Sequence, residues 1–276
     1  MKCDLHTHSI YSDGSYSPAE IIAEAKRLNL TVALTDHNTT AGLKEFMQAA
    51  KEQGAYAVSG VELSTVYRDK ELHLLGLFIS PEHYDRVEML VNEFRVLKES
   101  SNIKTVERLN AAGYNISFSD VKRRTKSGNV NRAHIAAELC EKGYVNSINE
   151  AFETLLAKRT GFYEPPKYLE IMDAIKFLRG IKAVPVLAHP LKDLDKDELR
   201  RFLPCAIDAG LIGMETQHSS YDCKKTALAS QIAKEFGLLQ SGGSDFHGTN
   251  KPDVSLGIPA MPVEIYNALL AVKMKF

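Results

Sequence analysis

Histidine, aspartate and glutamate residues recur along this chain where predicted strands end. The first group is Asp4-Leu5-His6-Thr7-His8 and the last is Gly243-Ser244-Asp245-Phe246-His247, and between them lie Asp13, Asp36, His37, Glu62, His73 and His189. Imidazole and carboxylate groups bind zinc-type ions, and three of them suffice for one catalytic ion. So many ligand-type residues predict two or three divalent metal ions, and with them the means to hydrolyse a difficult bond.

The spacing of these residues indicates which of them act together. Residues two apart in a strand face the same side, so His6 and His8 are expected to bind one ion, and Asp245 and His247 are expected to do the same. Glu62 follows apolar residues, where a carboxylate can bridge two cations and lower their repulsion. The competing interpretation for Glu62 is a surface carboxylate.

Four further residues are candidates for the same site. His73 lies inside an apolar strand, where a buried core histidine is the competing interpretation, and His189 precedes Pro190 at the end of another strand. Asp13 and His37 are expected to form a further site with His247. Asp36 is interpreted as an acceptor that orients a ligand imidazole, with direct ligation as the alternative.

Strand and helix patterns alternate along most of the chain. About seven strands are predicted, with helices between them, and residues 100–167 lack a comparable strand pattern and read as an all-helical insertion. An open sheet is also compatible with this order of strands and helices. A barrel explains better why ligands from the first and last strands must meet, at the carboxyl ends of the strands. We therefore predict an α/β, distorted (β/α)7 TIM-like barrel over residues 1–99 and 168–276.

Bulk composition fits an ordinary globular protein and excludes several classes. The net charge is −1, so no global field recruits nucleic acid or a membrane surface, and no apolar stretch approaches the length of a membrane span. Four dispersed cysteines without Cys-x-x-Cys spacing fit reduced thiols. A cytoplasmic protein with no membrane association and no obligate protein partner is expected.

The insertion is basic, and we expect it to act as a substrate cap. Residues 95–167 hold 13 lysines and arginines against 8 aspartates and glutamates. Arg132 and His134 begin a predicted helix, whose exposed N–H groups and arginine favour phosphate. A basic turn and a further lysine complete the candidate substrate-binding set: Lys158, Arg159 and Lys104. His218 follows the sixth strand at the expected active-site rim. A solvated surface is the competing interpretation for these residues.

Taken together, the motifs resemble those of the PHP family (polymerase and histidinol phosphatase). His6-x-His8, Asp13, Asp36-His37, Glu62, His73, His189 and Asp245-x-His247 occur in the family's order, from Lys2 to about Gly248. The chain looks like the stand-alone phosphoesterases of this family that have a helical insertion. That resemblance implies a distorted seven-stranded barrel and a site for two or three Mn, Fe, Zn or Mg ions.

Within this resemblance, each ion has an implied ligand set. One ion takes His6, His8, Glu62 and Asp245; a second takes Glu62, His73 and His189; a third takes Asp13, His37 and His247. The implied reaction is attack of a metal-bridging hydroxide on a phosphate monoester of a small nucleotide, a nucleoside 3′,5′-bisphosphate or AMP. Asp245 is expected to accept the proton, Asp36 to support catalysis and His218 to protonate the leaving oxygen.

Several alternatives remain open at this point. The same chemistry serves a 5′-to-3′ exoribonuclease acting on short RNA, or a phosphatase of the histidinol-phosphate type. A similar metal cluster hydrolyses C–N bonds in amidohydrolases, although no carbamylatable lysine is evident on a predicted strand. A non-catalytic, metal-stabilised module that docks to a polymerase is the last alternative, and the full set of ligands argues against it.

Overall fold

A computed structural model describes residues 2–124, 130 and 132–276 of the chain. The chain divides into two compact units, one formed by the residues up to Met89 together with Leu169–Phe276, the other by Leu90–Tyr168. The expected insertion, residues 100–167, falls inside the second unit. Each unit has its own apolar core.

The first unit is built on a single sheet of eight strands in the part of the chain that the structure describes. The sheet order is β7-β6-β5-β4-β3-β2-β1-β8. The strands are β1 (Lys2–Asp4), β2 (Leu30–Leu34), β3 (Ala57–Tyr67), β4 (Lys70–Leu77), β5 (Val184–Leu187), β6 (Gly213–His218), β7 (Leu239–Gly243) and β8 (Met261–Pro262).

The two ends of this sheet approach each other, so the sheet is a nearly closed barrel. The Leu5 amide donates to the Gly242 carbonyl at 3.2 Å. Asp4, buried at the end of β1, accepts hydrogen bonds from the Ser244 amide at 2.9 Å and the Ser244 hydroxyl at 2.6 Å. Gly243 has no room for a side chain, because a Cβ atom there would lie 2.6 Å from the His6 amide nitrogen. The predicted α/β, TIM-like barrel is confirmed.

Strand direction departs from a regular β/α repeat at β8, which pairs antiparallel with β1, and at β4. Only Arg68 and Asp69 connect β3 to β4, and so short a connection allows only an antiparallel hairpin. Strand β4 is also antiparallel to β5, whereas the β1–β2, β2–β3, β5–β6 and β6–β7 pairs are parallel. The first residues of β4 therefore lie at the same end of the barrel as the last residues of β3 and β5, its antiparallel neighbours.

Helices of the first unit cover the sheet. They are α1 (Pro18–Arg27), α2 (Leu43–Gln53), the start of α3 (Tyr84–Ala111), α7 (Ile171–Gly180), α8 (Pro190–Asp193), α9 (Lys196–Ala209), α10 (Cys223–Glu235) and α11 (Val263–Lys273). Helix α1 begins with a capping box between Ser17 and Glu20. Helix α9 runs through Pro204 as one helix.

The second unit consists of helices packed around an apolar core. Besides the remainder of α3, it contains α4 (Phe118–Arg123), α5 (Arg132–Glu141) and α6 (Ile148–Thr154). Leu109, Ile135 and Leu139 are fully buried in its core.

All four cysteines are free thiols. Over the residues that the structure describes, no helical segment has the length and hydropathy that a membrane span requires.

Candidate metal centre

The predicted ligands lie together at one end of the barrel. This is the end at which the parallel strands terminate. Ligand-type residues follow β1, β2, β5 and β7, while β3 and β4 contribute from within the hairpin. The side chains gathered there are His6, His8, Asp13, His37, Glu62, His73, His189, His218, Asp245 and His247. The antiparallel direction of β4 explains why His73 reaches this end although it lies inside its strand.

One group of ligand atoms surrounds an oxygen of Glu62. Glu62 Oε2 lies 3.1 Å from His6 Nε2 and 3.2 Å from His8 Nε2. Asp245 Oδ1 completes the group, 3.2 Å from His8 Nε2 and 3.6 Å from His6 Nε2. All four residues are buried, and one ligand atom from each lies within 4.8 Å of the others. His6 and His8 face the same side, as their spacing predicts.

A second group involves Glu62 again. Glu62 Oε1 lies 2.8 Å from His73 Nδ1 and 3.1 Å from His189 Nε2, the two imidazoles expected to share an ion with it. His37 Nδ1 lies 3.0 Å from Glu62 Oε2, and His37, Glu62 and His73 also form a ligand-like cluster. Glu62 therefore stands between neighbouring groups of donors, with each oxygen facing different imidazoles.

The third group is centred on Asp13. Asp13 Oδ1 lies 3.2 Å from His247 Nε2 and 3.8 Å from His8 Nδ1, and Asp13 Oδ2 lies 3.9 Å from His37 Nε2. His8 stacks against His247 with 4.1 Å between the ring centroids. The expected trio of Asp13, His37 and His247 is thus together, and His8 joins it. Asp13 is the most exposed member, with 57% of its side chain accessible.

Burial and opposite charges compete at this site. Burial alone would raise the pKa of the Glu62 carboxyl group, but the His37, His6 and His73 imidazoles hold that pKa well below its usual range. Burial opposes protonation of His73, yet the Glu62 carboxylate raises the pKa of His73 to about 10. Burial prevails at His37, whose pKa falls to about 4. Because cations and protons compete for the same nitrogens, metal binding here releases protons.

Several atoms of the cluster have no hydrogen-bond partner, which allows a test of whether metal ions fit. Among the residues that the structure describes, the buried atoms of this kind in the cluster are His6 Nε2, His8 Nδ1 and Nε2, His37 Nδ1, Glu62 Oε2, His189 Nδ1 and His247 Nε2. Buried polar atoms without partners are costly and rare. These unpartnered imidazole nitrogens and the Glu62 oxygen lie close to one another, and such a set of donors fits divalent cations such as Mn, Fe or Zn.

A buried carboxylate that sequence reasoning did not select supports two of the ligands. Glu215, inside β6, accepts a hydrogen bond from His6 Nδ1 at 3.0 Å and from the His189 backbone N–H at 2.7 Å. An ionised carboxylate only accepts, so His6 carries its proton on Nδ1 and directs the Nε2 lone pair into the cluster. Its one sequence signal is an acidic residue among apolar strand positions, the signal used for Glu62.

Two residues of the site have unusual backbone conformations. His189 has φ 29° and Asp245 has φ 57°, in the region of positive φ that residues other than glycine rarely adopt. The Asp245 amide donates to the His6 carbonyl at 2.9 Å, and the His189 amide donates to Glu215. These hydrogen bonds keep both side chains directed at the cluster despite the backbone strain.

Asp36 and His218 differ in their relation to the cluster. The Asp36 carboxylate accepts hydrogen bonds from the Ser9 amide, the Ser9 hydroxyl and the Ser12 hydroxyl, all at 2.7 Å. These contacts fix the loop that follows His8. The expected catalytic role of Asp36 stays a prediction. His218 is buried, and its Nε2 lies 3.3 Å from Asp245 Oδ2.

The expected substrate-binding residues belong to the helical unit. The Arg132 guanidinium lies over the Tyr163 ring at 4.3 Å and donates to the Leu156 carbonyl at 3.4 Å. Burial, together with Lys98 and Arg124, lowers the pKa of His134.

The remaining members of that set lie on the surface of the helical unit or in a short turn. Lys104 Nζ lies 3.3 Å from Glu164 Oε1. Arg159 donates to the Glu153 carbonyl at 2.7 Å, and Lys158 begins the 3₁₀ turn that contains Arg159. Substrate binding by these residues stays a prediction.

Comparison with known proteins agrees with this arrangement. A family model for the PHP domain matches residues 4–174. The chain belongs to the PHP-domain family.

Curated relatives cover nearly the whole chain. A 5′-3′ exoribonuclease of Haemophilus influenzae is 32% identical over 248 residues, covering 89% of this chain and 90% of the relative. A 3′,5′-nucleoside bisphosphate phosphatase of Chromobacterium violaceum is 30% identical over 262 residues, covering 92% and 90%. A phosphoribosyl 1,2-cyclic phosphate 1,2-diphosphodiesterase of Eggerthella lenta is 29% identical over 267 residues, covering 93% and 99%.

Solved structures give the same result. The crystal structure of a candidate metal-dependent phosphoesterase from Bifidobacterium adolescentis has a TM-score of 0.71 and 28% identity, covering 98% of this chain and 96% of that one. Family, fold and donor cluster together define the protein as an enzyme, a metal-dependent phosphoesterase.

Proposed function

We propose that this protein hydrolyses a phosphate monoester of a small nucleotide, a nucleoside 3′,5′-bisphosphate or AMP. The observation that carries the proposal is the position of Glu62, whose two oxygens face different imidazole groups at 2.8 to 3.2 Å. A shared carboxylate of this kind suits adjacent cations, and adjacent cations suit phosphoryl transfer. The 30% identity to the bisphosphate phosphatase supports the substrate class.

As metal ligands we propose His6, His8, Glu62 and Asp245 for one ion, Glu62, His73 and His189 for a second, and Asp13, His37 and His247 for a third. When bound, the ions neutralise phosphate oxygens and lower the pKa of water, which supplies a nucleophile near neutral pH. Three ions require all these side chains, and two ions leave one set to bind substrate.

Two residues of the chain are proposed to move protons. Asp245 Oδ1 faces the imidazoles and Asp245 Oδ2 faces His218, so this carboxylate can accept a proton from the attacking water. His218 Nε2, 3.3 Å from Asp245 Oδ2, is proposed to give a proton to the leaving oxygen. The ring orientation of His218 is set on its other side by Ser220 Oγ, 2.8 Å from Nδ1.

Recognition of the rest of the substrate is assigned to the basic helical unit. Arg132 is proposed to bind a second, non-reacting phosphate. Aromatic rings support its guanidinium group, so this side chain is ordered before any ligand arrives. The further contacts proposed are His134, Lys104, Lys158 and Arg159.

A second candidate function is 5′-to-3′ exoribonuclease activity on short RNA, favoured by the 32% identity to the Haemophilus influenzae enzyme. The bond cleaved is then a phosphodiester, and the same ion cluster would serve. Other open possibilities are phosphatase activity of the histidinol-phosphate type and hydrolysis of a sugar cyclic phosphate, the latter suggested by the Eggerthella lenta relative.

A substrate panel tests the proposal directly. Metal-loaded enzyme is given a nucleoside 3′,5′-bisphosphate, AMP, histidinol phosphate, a ribose cyclic phosphate, 5′-phosphorylated short RNA and an amide. The proposal expects the highest kcat/KM for one of the two mononucleotides. A kcat/KM for RNA above that for every mononucleotide would replace the proposal with the exoribonuclease, and turnover of the amide alone would reject phosphoester chemistry.

A further inference from the structure

The two oxygens of Asp245 face different groups. Oδ1 points to the ligand imidazoles, 3.2 Å from His8 Nε2 and 3.5 Å from His247 Nδ1. Oδ2 points away from them and contacts two other groups, His218 Nε2 at 3.3 Å and the Lys251 ammonium at 2.8 Å. One carboxylate therefore joins the donor cluster to a lysine that no ligand set includes.

Lys251 is carried by an ordered turn that follows His247. The Thr249 amide donates to Ser15 Oγ at 2.8 Å, and Asn250 Nδ2 donates to the Asp13 carbonyl at 2.9 Å. These contacts tie the turn to the loop that contains the ligand-type residue Asp13. The backbone that carries Lys251 is thus held at the edge of the metal centre.

The environment of the Lys251 ammonium suits a contact with substrate. Its side chain is 38% exposed, whereas the Asp245 side chain is 6% exposed, so the cation stands between a buried carboxylate and solvent. An ion pair with one partner so exposed adds little to stability, and the ammonium can exchange partners at small cost. Lysine binds phosphate as a compact point charge on a flexible stem.

We propose that Lys251 is a catalytic residue that contacts an oxygen of the reacting phosphoryl group. In the free enzyme the ammonium pairs with Asp245 Oδ2. When substrate binds, the ammonium turns to the phosphoryl group and stabilises the negative charge that its oxygens carry in the transition state. This inference rests on the proposed phosphoester hydrolysis and adds to it a protein cation beside the bound metal ions.

Replacement of Lys251 by methionine removes the charge and keeps most of the length of the side chain. Lys251→Gln is a second uncharged variant, Lys251→Arg keeps the charge, and Lys234→Met is the matched control, since Lys234 is exposed in the last turn of α10. Each metal-loaded variant is assayed for kcat and KM on the best substrate of the wild-type enzyme, for bound metal by elemental analysis, and for binding of inorganic phosphate by calorimetry.

We expect Lys251→Met to lower kcat/KM by about 10- to 100-fold, because one charged contact to the transition state is lost. Phosphate binding should weaken in parallel while metal content stays at the wild-type level. Lys251→Arg should retain most of both properties, and Lys234→Met should change neither.

Two results would overturn the assignment. Loss of bound metal in both uncharged variants would mean that Lys251 acts only by holding Asp245, and unchanged phosphate binding would mean that the ammonium does not reach the phosphoryl group. The calorimetric measurement also separates the two proposals. A wild-type enzyme that hydrolyses no phosphate ester refutes the proposed function, whereas weaker phosphate binding by Lys251→Met alone would still support the contact.

Discussion

Replacement of Glu215 by glutamine tests whether this carboxylate sets the tautomer of the ligand-type residue His6. The carboxylate accepts one hydrogen bond from His6 Nδ1 and another from the His189 amide, and all three groups are buried. A glutamine in the same place has one accepting oxygen and one donating NH₂ group. If its oxygen faces His6, the NH₂ group meets the His189 N–H, and two donors oppose each other.

The other orientation of the glutamine keeps both hydrogen bonds but prevents His6 from binding a cation. Its NH₂ group then donates to His6 Nδ1, which forces the ring proton onto Nε2, the nitrogen that faces Glu62 and Asp245. A protonated Nε2 cannot ligate a cation. Loss of one hydrogen bond to a buried charged group costs about 1.5 to 3 kcal/mol. Variants of residues that orient metal-bound histidines usually lose about 10- to 100-fold in affinity or activity.

We therefore expect Glu215→Gln to bind the most tightly held cation about 10- to 100-fold more weakly than the wild type. Metal affinity is measured by competition with a chelating indicator, and thermal unfolding of the metal-free proteins shows whether the variant is folded. Glu235→Gln is the matched control, because Glu235 is exposed and pairs with Arg200. A folded Glu215→Gln protein with wild-type metal affinity would refute the tautomer reasoning.

Three further outcomes are expected. Asp245→Asn should lower kcat by about 100-fold or more, since a proton acceptor contributes about 10²- to 10⁴-fold, and steady-state kinetics showing unchanged turnover would remove Asp245 from the mechanism. Arg132→Ala should mainly raise KM, by about tenfold or more through loss of a charged hydrogen bond, with thermal unfolding as the check on lost packing against Tyr163; an unchanged KM for every phosphate ester contradicts this role. Chelation should lower Tm by several degrees and Mn²⁺ should restore it, because a cation at 100 times its dissociation constant stabilises by about 2.7 kcal/mol; calorimetry showing equal Tm values would count against bound metal.

Local features of the fold were predictable because their causes lie within a few residues. The capping box of α1 depends on Ser17 and Glu20, three positions apart, and the structure contains it. The pairing of His6 with His8 follows from the side-chain alternation of an extended segment.

The direction of β4 was less accessible from the sequence. Alternating strands and helices favour parallel pairing, but the two residues between β3 and β4 permit only a hairpin. That reversal decides where His73 lies, because it brings the first half of β4 to the end of the barrel where β3 and β5 finish. The sequence showed only that His73 lies inside its strand and not at a strand end.

The sequence by itself determined which chemistry is available, since residue types and their order along the strands already indicated a cluster of oxygen and nitrogen donors. The tertiary structure alone decided which side chains contact each other. Glu215 supports His6 across 209 positions, and Lys251 reaches the far oxygen of Asp245 from a turn beyond the last long strand. Such contacts depend on how the barrel closes, and closure is a property of all the strands together, which no local stretch of sequence encodes.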